Sequence, residues 1–75
     1  MKELVEFMVK SLVDNPDNLV ITTEEYGDLV KIFIKADEND IGKIIGKQGK
    51  IAKAIRTIVR SSAMKLGKKV IVEIN

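Results

Sequence analysis

Two glycines, Gly46 and Gly49, enclose Lys47 and Gln48 in the stretch "IIGKQGKI". A long helical pattern begins directly after Gly49, so unpaired backbone N–H groups and the positive end of a helix dipole face this loop. Because glycine has no Cβ, a phosphate can approach the loop backbone closely, and Lys47 adds positive charge at the tip. The combination predicts a site for a phosphate-bearing chain, although a single G-x-x-G can also be a plain turn in which glycine supplies positive φ.

Positive charge surrounds this loop and continues along the helix that follows it. The neighbouring bases are Lys43, Lys50, Lys53, Arg56 and Arg60. Residues 41–75 hold nine Lys or Arg against a single acid, a net charge of +8, whereas residues 1–40 hold four Lys against ten acids, a net charge of −6. Such a polarised chain has one end suited to a polyanion. The alternative is that the two halves simply neutralise each other across one small fold.

Spacing and composition exclude several other function classes. Gly42 and Gly46 are separated by three residues and Gln48 follows Lys47, so the stretch is neither a Walker loop nor a dinucleotide fingerprint. The chain has no His and no Cys, and ten of its eleven acids lie in the half away from the loop, so we expect no enzyme activity, no metal and no cofactor. Apolar runs are short and the first residues carry acids, which predicts a soluble, cytoplasmic protein without a membrane span or targeting peptide.

The periodicity of apolar residues predicts six elements in the order αββααβ, an α+β fold. The predicted helices are residues 2–13, a short helix that ends at Ile45, and residues 50–66. The predicted strands are residues 19–25, 29–36 and 68–74. Pro16 ends the first helix, and the turn at 26–28 joins the first two strands. Asp37, Asn39 and Asp40 are the candidate N-caps of the short second helix.

The third helix is amphipathic, and its two faces are predicted to have different tasks. At about 100° per residue, one arc packs against the core and the opposite side is basic. The predicted packing residues are Ile51, Ile55, Ile58, Val59, Ser62 and Leu66. Lys50, Lys53, Arg56 and Arg60 then form a basic track that leads away from the glycine loop.

"IIGKQGKI" resembles the I-G-x-x-G-x-x-I signature of KH domains, and the order αββααβ is similar to the type II arrangement of that fold. With "LVDNPDNL" after the first helix, the chain resembles the small bacterial single-KH-domain proteins of the KhpA family. The resemblance covers residues 1–75 as a single KH domain and implies a three-stranded sheet packed against three helices. It also implies that the glycine loop clamps the sugar-phosphate backbone of about four nucleotides.

The resemblance implies a function in binding single-stranded RNA, as an RNA chaperone or post-transcriptional regulator involved in cell growth, division and shape. The expected partners are RNA and either a second copy or a larger KH-containing protein, giving a homodimer or a heterodimer. The implied RNA-binding residues are Gly42, Lys43, Gly46, Lys47, Gln48, Gly49, Lys50, Lys53, Lys68 and Lys69. Two alternatives stay open: a dimerisation module marked by an exposed Phe33 and the acidic half, and a clamp for single-stranded DNA.

Overall fold

A computed structural model describes all 75 residues and confirms the predicted α+β architecture and element order. The elements are α1 (Lys2–Lys10), β1 (Val20–Tyr26), β2 (Leu29–Lys35), α2 (Glu38–Ile45), α3 (Lys50–Lys65) and β3 (Lys69–Ile74). Single 3₁₀ turns at Pro16–Asn18 and Lys47–Gly49 precede β1 and α3. The arrangement is that of a type II KH fold.

The sheet has the order β1-β2-β3, with β1 antiparallel to β2 and β3 parallel to β2. Val30, Ile32 and Ile34 alternate along the central strand and are almost fully buried, as their period of two predicts. They pack against α1, α2 and α3, which all lie on this one face of the sheet. The parallel pairing needs a crossover, and α2 and α3 supply it, so the glycine loop lies between two elements of that crossover.

The first helix is shorter than the predicted span of 2–13. It ends at Lys10, where the Ser11 hydroxyl donates to the Phe7 carbonyl at 2.6 Å and contacts the Met8 carbonyl at 3.1 Å. Leu12 and Val13 still pack against the core, but from the connector that follows the helix. Apolar spacing therefore continued past the point where the backbone leaves the helix.

The packing face of α3 differs from the predicted arc. The buried residues are Ala52, Ile55, Val59 and Ala63. Ile58 and Leu66, both predicted to pack, are 47% and 62% exposed. The prediction is confirmed for Ile55 and Val59 and was wrong for Ile58 and Leu66. It followed the large apolar side chains, whereas the buried alanines Ala52 and Ala63 rotate the buried face by about 60° on a helix with 100° per residue.

Candidate nucleic-acid interface

The short helix α2 delivers the chain to the glycine loop. Asp37, one of the three predicted caps, accepts the Asn39 N–H at 2.9 Å and begins the helix. Ile44 is fully buried and anchors α2 in the core, whereas Ile45 is 38% exposed. Gly46 then ends the helix with φ 76° and ψ 175°, a backbone conformation that is essentially restricted to glycine. The direction of α2 therefore decides where the loop lies.

Gly46 is also required because of the side chain above it. A Cβ built on Gly46 would lie 2.5 Å from Cγ1 and 2.8 Å from Cβ of Ile51. Ile51 is half-buried and packs against the core, so it has little room to move. Ile51, two residues after the glycine loop, therefore lies against Gly46 and restricts the loop backbone.

The tip of the loop presents two free backbone donors. Gln48 has φ 58° and Gly49 has φ 73°, so two consecutive residues adopt the left-handed conformation. The Gly49 N–H donates to the Gly46 carbonyl at 3.1 Å, while the N–H groups of Lys47 and Gln48 donate to no other backbone group. Free amides at an exposed turn next to a helix N-terminus are suited to phosphate oxygens.

Seven bases around the loop, along α3 and at the start of β3 take part in no salt bridge. They are Lys47, Lys50, Lys53, Arg56, Arg60, Lys65 and Lys69. All seven are exposed, and α3 contains no acidic residue at all. Their charge is therefore available to an external anion over the length of α3, about 24 Å at 1.5 Å per residue.

A shallow groove separates α3 from β3 and extends the site beyond the loop. Its walls are Arg56 and Arg60 on α3 and residues 70–72 on β3. The Arg56 Nε donates to the Val72 carbonyl at 3.4 Å, which shows that this carbonyl points to the free edge of the sheet. The other guanidinium donors of Arg56 are unpaired, so the groove offers donors along one wall and strand-edge backbone groups along the other.

Arg56 and Arg60 belong to the predicted basic track but not to the predicted RNA contacts. The sequence carried the signal, because both lie on the same side of α3 as Lys53. What it could not provide was the parallel pairing of β3, which brings a free strand edge beside that side of the helix.

Two of the predicted contact lysines lie in ion pairs with the acidic half of the chain. The Lys43 ammonium lies between Asp14 and Asp40, and its hydrogen bond to Asp14 raises the pKa of Lys43. Lys68 contacts Glu25 at 3.1 Å. The remaining predicted residues, Gly42 and Lys69, are exposed on α2 and at the start of β3. The structure thus places Lys50 and Lys53 together on α3, directly after the loop that carries Lys47, and holds Lys43 and Lys68 in ion pairs within the chain.

The structure contains neither a cluster of metal-binding side chains nor a helix that could span a membrane. No group of three or more acidic, His or Cys side chains is placed to hold a metal ion. None of the helices combines the length and apolar character required to cross a bilayer.

Comparison with known proteins places this geometry among relatives. Residues 2–74 match the sequence profile of the family described as KhpA/KhpB, KH domain. The chain is similar to the RNA-binding protein KhpA of Clostridium perfringens, with 50% identity over 99% of both chains. It is 45% identical to RNA-binding protein KhpA of Aquifex aeolicus and 46% identical to that of Listeria monocytogenes, in each case over 99% of this chain and at least 94% of the relative.

Two solved structures of Era share the fold. One is Era in complex with MgGDPNP and nucleotides 1506–1542 of 16S ribosomal RNA, with a TM-score of 0.68 and 28% identity. The other is a variant of Era from Aquifex aeolicus bound to GDP and AlF4⁻, with a TM-score of 0.67 and 27% identity. The chain spans only 28% of each Era chain, so the likeness concerns one part of that larger protein.

Proposed function

The chain belongs to the KhpA/KhpB family of KH domains, and from this we propose that it binds single-stranded RNA by clamping the backbone with Gly46–Gly49. The family is not a class of enzymes, in agreement with the expectation from the sequence. We further propose that the chain acts as an RNA chaperone or post-transcriptional regulator, because a module that grips the backbone through few contacts binds many transcripts weakly and releases them readily.

The observation that carries this proposal is the pair of free N–H groups on Lys47 and Gln48 at the start of an unpaired basic track. The amides and the dipole of α3 hold one phosphate, and the lysines beyond hold the next ones. The nucleobases of the RNA then lie in the groove between α3 and β3, where Arg56 and the edge of β3 provide hydrogen bonds. The chain has three aromatic side chains, one Tyr and two Phe, and none of them lines the groove. Stacking of bases on aromatic rings therefore contributes little to binding.

A salt titration tests which lysines meet phosphates. We expect Lys47→Ala to reduce the slope of log Kd against log salt by about 0.7, the value for one lost phosphate contact on a single strand. Lys68→Ala should leave the slope unchanged, because Lys68 already pairs with Glu25. The measurement is fluorescence anisotropy with a labelled oligouridine at four salt concentrations.

These two variants form a matched pair, since both replace one lysine by alanine and remove the same charge. Equal slopes for wild type and Lys47→Ala would contradict the loop as the phosphate site. A slope for Lys68→Ala that falls as far as that of Lys47→Ala would extend the interface to the start of β3.

A second function, pairing with another KH domain, is favoured by the outer face of α3. Ile58 is 47% exposed at the middle of the helix, with Ala54 and Thr57 beside it and Lys50 and Lys53 at the border of the same patch. An exposed Ile flanked by small side chains lets a partner helix approach closely. Phe33, the expected mark of such a module, is half-buried between neighbouring strands. We therefore propose α3 as the surface for a homodimer or for a heterodimer with a larger KH-containing protein.

Sedimentation equilibrium tests the pairing surface. Ile58→Gln should weaken self-association at least about tenfold, because burial of an Ile side chain contributes about 1.5–3 kcal/mol. At a concentration where both chains are monomeric, the melting temperature should not change, since Ile58 does not belong to the core. Phe7→Gln on α1, which removes a side chain that is 75% exposed, serves as the control and should associate like wild type. A wild-type chain that remains monomeric up to millimolar concentration would refute homodimer formation.

A further inference from the structure

Asp40 is the one polar or charged residue that is fully buried. It lies in the first turn of α2, six residues before the glycine loop. Its two carboxylate oxygens accept the backbone N–H groups of Asp14 at 3.1 Å and Asn15 at 2.9 Å, and the Asn15 side-chain amide at 3.3 Å. The Lys43 ammonium lies 3.5 Å away. RNA binding as proposed above makes no direct use of this carboxylate.

These contacts fasten α2 to the connector between α1 and β1. All the donors come from Asp14 and Asn15 except the ammonium of Lys43, which belongs to α2 itself. The Asn18 side-chain amide adds a second link, because it donates to Asp37 at 2.8 Å. Burial alone would raise the pKa of Asp40, but the hydrogen bonds from Asp14 and Asn15 and the charge of Lys43 outweigh it and lower that pKa. The group is therefore a carboxylate at neutral pH.

The helix α2 packs against α3 and β3, but few of its side chains fix its position. It has eight residues, too few to be stable alone, and Ile44 is its only buried apolar residue. The glycine loop continues directly from its end, where the Gly46 N–H donates to the Gly42 carbonyl at 2.8 Å. A change in the tilt of α2 therefore moves Gly46 and Lys47 relative to α3.

We propose that Asp40 is a positioning residue for RNA binding: by holding the connector at residues 14–15 against α2, it sets the direction in which α2 presents Gly46–Gly49 to the phosphate. This inference rests on the proposed function. It also gives Lys43 a role, since the ammonium neutralises Asp40 and Asp14 within this contact and is not left free for RNA. A binding loop must be held within about 0.5 Å of its productive geometry, which a single short helix cannot do without support.

The test compares Asp40→Asn with two controls. Asparagine has the same shape but places an NH2 group against N–H donors. Asp17→Asn removes the same charge at an exposed site that makes no side-chain hydrogen bond or ion pair, and Val5→Ala destabilises the core from α1 and leaves every hydrogen bond and ion pair of Asp40 in place. All variants are studied at a temperature where circular dichroism shows them folded. The probe is a labelled oligouridine, and the readouts are its Kd, the salt slope and the ¹⁵N–¹H shifts of the loop amides in the free protein.

We expect Asp40→Asn to weaken binding about tenfold, with the salt slope unchanged because no phosphate contact is lost. The amides of Lys47 and Gln48 should shift in Asp40→Asn and not in Val5→Ala. Asp17→Asn should match wild type, and Val5→Ala should stay within about twofold even if its melting temperature falls further. If Asp40→Asn does not fold, the double variant Asn15→Ala with Asn18→Ala loosens the same connector with the carboxylate intact, and about threefold weaker binding is then expected.

The possible failures are distinguishable. In the first case, the wild-type chain binds RNA, and Asp40→Asn has the same Kd and the same loop-amide shifts as wild type. This result would overturn the positioning role alone. Equal losses for Asp40→Asn and Val5→Ala would also overturn it, because the effect would then follow stability. Absence of RNA binding by the wild-type chain would overturn the proposed function, and the positioning role with it.

Discussion

Replacing Lys47 and Gln48 together by Asp should abolish most RNA binding and leave the fold intact. The change removes one positive charge and adds two negative ones at the point where the backbone amides face the phosphate. At 4–6 Å, with an effective dielectric constant between that of the surface and that of water, each charge contributes about 1 kcal/mol, so the affinity should fall about 100-fold at low salt. The measurement is the Kd for a labelled oligouridine at two salt concentrations.

Stability should survive this change for reasons specific to the two positions. Lys47 is exposed and unpaired, and Gln48 adopts φ 58°, which Asp tolerates better than most residues. Negative charge at the N-terminus of α3 is also favourable to the helix dipole. We therefore expect the melting temperature to stay the same or rise slightly, which separates loss of binding from loss of fold.

The control changes the net charge equally at a remote surface. Lys2→Glu with Lys10→Gln on α1 also lowers the net charge by three, and both replacements are good helix formers. This variant should lose only the weak long-range attraction, a few-fold in Kd, and that loss should vanish at high salt. Equal losses in the two variants would mean that net charge, and not the glycine loop, determines binding.

Element types and order could be predicted from the sequence because each carries its own periodicity. Val30, Ile32 and Ile34 alternate along β2, and Gly27 marks the turn between β1 and β2, so each is a local signal. Pro16, in contrast, was wrongly predicted to end the first helix, because α1 already ends at Lys10. The burial of α3 could not be predicted equally well, since it depends on how closely Ala52 and Ala63 let the helix approach the sheet. Such closeness is a property of the packed core and has no counterpart in a single helix.

The glycine loop could be predicted from the sequence, whereas the ion pairs of Lys43 and Lys68 with acidic side chains could not. Lys43 and Lys68 look like Lys47 and Lys50 in the sequence, yet they pair with Asp14 and Glu25, which are 29 and 43 residues away. Only the folded chain brings these charges together. For the same reason Asp40, one of three candidate caps, turned out to bind the connector while Asp37 caps the helix.

Replacement of Gly42, Gly46 and Gly49 by alanine should change the free energy of unfolding by different amounts, with one change of opposite sign. Gly46→Ala should be the most destabilising, because its backbone conformation excludes other residues and its Cβ would overlap Ile51. Strain of about 1–3 kcal/mol from the backbone and a similar amount from overpacking give a loss of about 2–6 kcal/mol in the free energy of unfolding. Gly49→Ala should cost about 1–2 kcal/mol, since a Cβ there meets nothing and only the left-handed φ is strained.

Gly42→Ala provides the matched control within the same ten residues. Gly42 lies inside α2 without a positive φ and with open space around it, so Ala should stabilise the chain by about 0.5–1 kcal/mol. Urea unfolding of the three variants measures the order directly. For a domain of this size each kcal/mol also shifts the melting temperature by about 4–8 °C, so Gly46→Ala and Gly42→Ala should differ by well over 10 °C.

The contact with Ile51 can be separated from backbone strain by a double-mutant cycle. If the overlap contributes, Ile51→Ala should cost less in the Gly46→Ala background than in wild type, because removal of Cγ1 and Cδ1 relieves two of the three close approaches. The φ penalty and the approach to the remaining Cβ persist, so the double variant should stay less stable than Ile51→Ala alone. Strict additivity would assign the requirement for glycine at position 46 to the backbone only, and the isoleucine after the loop would then have no part in shaping it.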